Sequence, residues 1–265
     1  MNLTVHGRAA YAYGGGKPFD ASLPCVVFVH GALHDHSGFT LLARWFAHHG
    51  RCVWALDRPG HGRSAGPPLA DVQAHAEWLL AAMDAAGVGR AALVGHSLGS
   101  LIALAAAGLA PERASHLALL GTACPMPVPS ALLELARQDP LAAIDRVNAL
   151  SISGLASKPA HPGPGSWVHG ANRALMRRSL AASDRNLFVH DFCLCNDYAD
   201  GLNAAARVCC PSTIVEGRHD QMTTPPQNRP LALALKANTV TLNSGHHLMA
   251  QAPETLQAAL AAALS

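Results

Sequence analysis

Gly95-His96-Ser97-Leu98-Gly99 sets a serine between an apolar run, Ala91–Val94, and a long Ala/Leu-rich helical pattern. A serine in that position stands on a sharp strand-to-helix turn. Small residues on both sides permit the strained backbone, and the hydroxyl is held at a helix N-terminus, where developing negative charge is favoured. Such a hydroxyl is a poor nucleophile until a base takes its proton, and the base needs an acid to orient it. The C-terminal third offers both at strand ends. Ser212-Thr213-Ile214-Val215 opens into Glu216-Gly217-Arg218-His219-Asp220, and Thr239-Val240-Thr241-Leu242 opens into Asn243-Ser244-Gly245-His246-His247. Asp220 and His246 thus each stand just past a strand's C-terminal end, the edge at which open parallel sheets bind ligands. Asp35, Asp57 and Asp191 are rival acids, and the post-strand position favours Asp220.

The elements that must position these groups follow from periodicity and from Gly/Pro punctuation. A first strand pair is expected over 2–13, broken by Gly14-Gly15-Gly16, with strands near 25–30, 52–57, 91–96, 116–122, 212–217 and 238–243. Helical patterns lie near 37–49, 71–87, 98–110 and 253–264. Alternation of strand and helix implies an α/β fold with a mostly parallel twisted sheet. The step from Ala118 to Ile214 is far longer than one crossover helix needs. It holds helical patterns at Ser130–Gln138, Leu141–Leu150, Asn172–Leu180 and Arg185–Asp200, with a Pro/Gly-rich link at Lys158–Gly165. Residues 124–207 therefore read as a helical cap inserted into a core of 1–123 and 208–265. His34, Met126, Trp167, Met176, Phe188 and Phe192 are the expected pocket residues.

The chain resembles the serine-dependent α/β-hydrolases, with capped esterases and lactonases as the nearest type, from about Val26 to the C-terminus. Four separated motifs carry the likeness: His30-Gly31-Ala32-Leu33 after Val26–Val29; Asp57-Arg58-Pro59-Gly60-His61-Gly62-Arg63-Ser64; the Ser97 turn; and Gly217–Asp220 with Gly245-His246 ahead of Pro253-Glu254. The resemblance implies the chain order Ser, acid, His. It implies Ser97 as nucleophile, His246 rather than His247 as base because His246 follows Gly245, and Asp220 as the orienting acid. It further implies an oxyanion hole formed by the backbone N–H groups of Ala32 and Leu98. The reaction implied is hydrolysis of a carboxylic ester or lactone through an acyl-enzyme. C–C bond hydrolysis, acyl transfer and cofactor-free perhydrolysis share the same triad, and some members of the fold are non-catalytic receptors. Relatives that open epoxides or remove halide carry Asp where this chain has Ser97.

Composition narrows the partners. Half of the 265 residues are hydrophobic, 14% are charged and the formal net charge is +2, which leaves no electrostatic footprint for nucleic acid. No apolar run reaches the length of a membrane span. The N-terminus lacks the charged and apolar regions of a signal peptide. Seven cysteines without disulfide spacing fit a reducing cytoplasm. His34-Asp35-His36 has the look of a metal fragment but no further spaced ligands, so no metal or other cofactor is expected. Gly60–Ala65 satisfies a dinucleotide pattern, yet Gly66-Pro67-Pro68 follows at once and leaves no helix to receive a pyrophosphate. The expected partner is a small-molecule ester or lactone, and no oligomeric state is legible.

Overall fold

A computed structural model describes residues 1–153 and 167–265. The Pro/Gly-rich link at Lys158–Gly165 lies outside the described residues. Eight strands form one sheet: β1 (Asn2–Val5), β2 (Arg8–Tyr13), β3 (Cys25–Val29), β4 (Cys52–Leu56), β5 (Ala91–His96), β6 (Ala114–Leu120), β7 (Ser212–Gly217) and β8 (Asn238–Leu242). Their order across the sheet is β1-β2-β4-β3-β5-β6-β7-β8. The β1–β2 hairpin joins β4 antiparallel, and every pairing from β4 to β8 is parallel. Parallel strands are covered on both faces, so β3, β4 and β5 are buried at every residue.

Alternation divides these side chains between two cores. Val27, Val29 and Leu93 point to one face, where α2 (Val72–Ala85) and α3 (Leu98–Leu109) pack. Val26, Phe28 and Val94 point to the other, where α1 (Thr40–His48) and α11 (Pro253–Ala263) pack. Each large apolar side chain so buried stabilises the fold by about 1.5–3 kcal/mol. Asp71 starts α2 as an N-cap, accepting from the Ala74 N–H at 2.7 Å.

Between β6 and β7 the chain forms α4 (Ser130–Gln138), α5 (Pro140–Ser151), α6 (Val168–Ala181), α7 (Leu187–Asp197) and α8 (Gly201–Arg207). The expected fourth segment, Arg185–Asp200, ends as α7 at Asp197, and α8 follows as a separate helix packed on α3. There a Cβ on Gly108 would lie 2.7 Å from the Ala204 carbonyl oxygen. Among the described residues there are also α9 (Pro225–Leu235) between β7 and β8 and the short α10 (Leu248–Gln251). Sequence patterning misses α9 because Pro225, Pro226 and Pro230 hide it. Two of these prolines occupy the first turn, where a missing N–H costs nothing. Among the described residues no helix is long and apolar enough to cross a membrane.

The sheet also dictates where glycine is required. A Cβ on Gly99 would stand 2.6 Å from the His30 carbonyl oxygen and closer still to that of Val29. Gly99→Ala should therefore force β3 and α3 apart and lower stability by about 1–3 kcal/mol, the range for overpacking. Urea unfolding of the two proteins checks this, and an unchanged midpoint would contradict the packing described.

Candidate active site

β5 ends at His96, and the chain turns into α3 through Ser97, whose backbone lies at φ 53°, ψ −122°. A residue with a side chain is strained there, and the flanking glycines relieve the crowding around it. A Cβ on Gly95 would strike the Gly99 backbone, and one on Gly31 would come within 3.1 Å of both Ser97 Cβ and His96 Nδ1. Leu98 is the first residue of α3, so its N–H has no partner within the helix. Ser97 is 8% exposed, enough to reach a cavity.

Asp220 and His246 meet across the ends of β7 and β8. His246 Nδ1 donates to Asp220 Oδ2 at 2.8 Å. Asp220 Oδ1 accepts from the N–H groups of Met222 (2.7 Å) and Thr223 (2.9 Å), and Thr223 Oγ1 donates to Oδ2 at 2.8 Å. Burial pushes the Asp220 pKa up, but the facing His246 and these donors outweigh it and hold the carboxyl below its ordinary value. Thr223 was not expected from sequence; the only signal for it is an Asp followed three residues later by Thr, a local turn pattern. Behind the ring, His96 Nε2 donates to the His246 carbonyl at 3.0 Å. A Cβ on Gly121, at φ 52°, would sit 3.1 Å from His246 Nδ1. His247 instead starts α10, with its N–H on the Ser151 carbonyl at 3.1 Å and its ring 5.3 Å from that of His34. His219 lies outside this group and bonds Asn243 Oδ1 at 3.0 Å.

The His30–Leu33 loop is held from two sides by the inserted helices. Leu33, buried at φ 55°, donates its N–H to Asp191 Oδ2 on α7 at 2.9 Å. The same oxygen accepts from Arg58 (2.9 Å) and faces His61 Nε2 (2.9 Å). All three side chains are buried, and Arg58 also reaches the Gly31 carbonyl at 3.2 Å. Burial pushes the Asp191 carboxyl up, but Arg58 and His61 more than offset this and keep it well below the usual range. On the other side His34 Nδ1 donates to the Ala32 carbonyl at 2.7 Å, while Nε2 faces Asn172 Oδ1 of α6 at 2.9 Å. Asn172 Nδ2 donates in turn to Asn148 Oδ1 (2.8 Å), and Asn148 Nδ2 to the His169 carbonyl (3.0 Å). That carbonyl can only accept, so it sets both amide orientations and leaves Asn172 Oδ1 facing His34 as an acceptor.

Ser97 and His246 open onto a cavity of about 860 Å³. Ala32, His34, Met126, Met176 and Phe192 line it. Trp167 and Phe188 do not. Trp167, just ahead of α6, is 68% exposed and stacks on His169 instead. Phe188 is fully buried one helical turn before Phe192, its ring stacked at 4.3 Å behind the ring that faces the cavity. Asp35, His36 and Asp57 bring potential metal-ligand atoms within 4.8 Å of one another. Their oxygens already accept from protein donors: Asp57 from the N–H groups of His36 and Arg63, Asp35 from Ser37 and Arg178. This trio thus acts as a loop brace, and the rival acids Asp35, Asp57 and Asp191 are all engaged away from His246.

Comparison with known proteins agrees with this architecture. The family model for the alpha/beta hydrolase fold matches residues 24–253, and the chain belongs to that family. The chain is 38% identical over 115 residues to the dihydrolipoyllysine-residue acetyltransferase component of the acetoin cleaving system of Pseudomonas putida, covering 41% of this chain and 28% of that protein. It is 32% identical over 102 residues to the sn-1-specific diacylglycerol lipase ABHD11 of Mus musculus, covering 38% and 33%. The similarity thus spans about a third of the length of these curated relatives. Among solved structures, the enol-lactonase from Burkholderia xenovorans LB400 superposes with a TM-score of 0.83 over 100% of this chain and 99% of that one, at 22% identity. That likeness is one of fold.

The histidines behind the cavity give the fold an acid limb. Burial first, then the neighbouring His34 and His246, push the His247 pKa down to about 3, and burial also lowers that of His96. A neutral imidazole in the fold that is protonated in the unfolded chain means that unfolding takes up protons. This contribution is complete above about pH 6.5 and is lost as pH falls toward 3. His247 alone should cost about 1.4 kcal/mol per pH unit in that window. His247→Asn should flatten the fall of Tm between pH 6.5 and 4.5, and a slope equal to that of the parent would contradict it.

Proposed function

We propose that the chain is a serine hydrolase acting on a carboxylic ester or lactone, with Ser97 as nucleophile, His246 as base and Asp220 as its orienting acid. The observation that carries the reading is the 2.8 Å His246 Nδ1–Asp220 Oδ2 hydrogen bond, whose imidazole shares a cavity with a serine held at positive φ. With Nδ1–H committed to Asp220, Nε2 is left free to take a proton. Ser97 Oγ forms a bond to the carbonyl carbon as its proton passes to His246 Nε2. The carbonyl oxygen becomes an oxyanion, received by the N–H groups of Ala32 and Leu98. One such donor is typically worth about 2.7–4 kcal/mol in the transition state. The C–O bond to the leaving alkoxide then breaks, and His246 returns the proton to that oxygen. Water repeats the cycle on the acyl-enzyme, releasing the acid and restoring Ser97.

In this reading residues 124–207 form the cap and residues 1–123 with 208–265 the core. The cap does more than cover the cavity. Asp191 and Asn172 brace the loop that carries Ala32, one through the Leu33 N–H and the other through His34. The free cysteines fit action in the cytoplasm.

Ser97→Ala and His246→Ala should each lower kcat on a p-nitrophenyl ester by roughly 10⁴-fold or more, because a triad acts as a unit. His247→Ala should cost about tenfold or less, through displacement of the loop. Steady-state kinetics on the three variants checks the assignment. A larger loss at His247 than at His246 would move the base by one residue, and undiminished turnover by Ser97→Ala would end the reading.

A further inference from the structure

The cavity wall is apolar along α4 and α5, where Leu132, Leu135, Val147 and Leu150 face it; the loop after β7 adds Gln221, and the first turn of α9 adds Gln227. Among the described residues, histidines aside, one lining side chain carries a charge: Arg146, on the same face of α5 as Val147 and Leu150. Arg146 is exposed at the cavity's edge. All 17 Asp and Glu residues of the chain lie within the described residues, yet none stands within 4.0 Å of this guanidinium. The adjacent carboxylate, Asp145, is held by Arg173 of α6 instead. The protein therefore supplies a permanent cation with five donors at the rim of an apolar cavity, and supplies no anion for it.

The helix sets how far Arg146 stands from the loop that carries His246. Ser151, at the end of α5, accepts from the His247 N–H and so abuts the His246 loop. Arg146 precedes it by five residues, which is about 7.5 Å along the axis at 1.5 Å per residue. Val147 and Leu150 line the track between them.

We propose that the preferred substrates are esters whose acyl chain is apolar and ends in a carboxylate, the chain lying along α5 and the carboxylate pairing with Arg146. This rests on the serine-hydrolase reading for its reaction, but not for its binding site. A chain on the order of eight carbons spans the distance set by the helix, so derivatives of octanedioic acid are suitable probes. Carboxylate and guanidinium match as a two-pronged pair. The pair remains at the cavity's edge, so the gain is modest and sensitive to salt.

Binding is measured by calorimetry on the Ser97→Ala protein, with monoethyl octanedioate as the anion and diethyl octanedioate as its neutral counterpart. The anion should bind about two- to fivefold tighter, the preference should shrink as salt is raised, and Arg146→Gln should abolish it while Arg146→Lys retains part of it. Equal affinities, no measurable binding of the anion, or a preference that survives Arg146→Gln would each overturn the proposal. Turnover of the two esters by the chain with Ser97 intact separates the two readings. Hydrolysis of both without an anion preference leaves the serine hydrolase standing and removes the Arg146 site. Anion-selective binding without hydrolysis of either ester keeps the Arg146 site and removes the hydrolase.

Discussion

A chain that leaves a buried parallel strand and enters a buried helix through one residue at φ 53° must be held there from every side, because that backbone is not a resting conformation for serine. The sheet provides the hold. Ser97 N–H donates to the Leu120 carbonyl at 2.9 Å, and Ser100 Oγ bonds both the Ser97 carbonyl (2.5 Å) and Thr122 Oγ1 (2.8 Å). Gly95, Gly99 and Gly31 are absent side chains that let three backbones converge on one point. The cost of the turn is thus met by β3, β5 and β6 together, and the Ser97 backbone is anchored to the sheet.

The facing loop obeys a different economy. His30–Leu33 has left the sheet, so its conformation depends on side chains, and those come from elsewhere in the chain. Asp191 Oδ2 gathers the Leu33 N–H, Arg58 and His61 in a site without solvent access. A buried carboxylate that lost these partners would be costly, so the insertion and the loop settle together or not at all. Among the described residues several atoms of this cluster find no protein partner, including Asp191 Oδ1, Arg58 Nε and both ring nitrogens of His75. Buried groups of this kind are the usual seats of internal water. In the proposed mechanism the same cluster keeps the Ala32 N–H aimed at the carbonyl oxygen, so that donor would depend on the inserted helices even though it belongs to the core.

Much of this was legible in the chain because parallel strands write themselves as short apolar runs. Val26–Val29, Ala91–Val94 and Ser212–Val215 are such runs, and each leads within five residues to a motif position, Ala32, Ser97 or Asp220. α9 was illegible by the prolines alone, although Thr224 and Gln227 spell a capping box that marks its start. Direction was the harder quantity. Phe188 and Phe192 sit one turn apart on α7, and composition cannot say which of two stacked rings meets the cavity. Trp167 looked like a pocket residue by size, but it precedes the first turn of α6 and faces outward. Arg146 and Asn172 lay hidden for the complementary reason. Their meaning comes from neighbours brought together by the insertion's packing, at sequence separations that no local pattern encodes.

In the proposed mechanism Ser97 Oγ is the atom that attacks. Reaction with a fluorophosphonate probe, followed by intact-mass and peptide mass spectrometry, tests it most directly, because the adduct records which oxygen became nucleophilic. One adduct per chain is expected, on the peptide containing Ser97, formed far more slowly when His246 is replaced by Ala. An adduct on another residue, or labelling at Ser97 that proceeds at the same rate without His246, would contradict it.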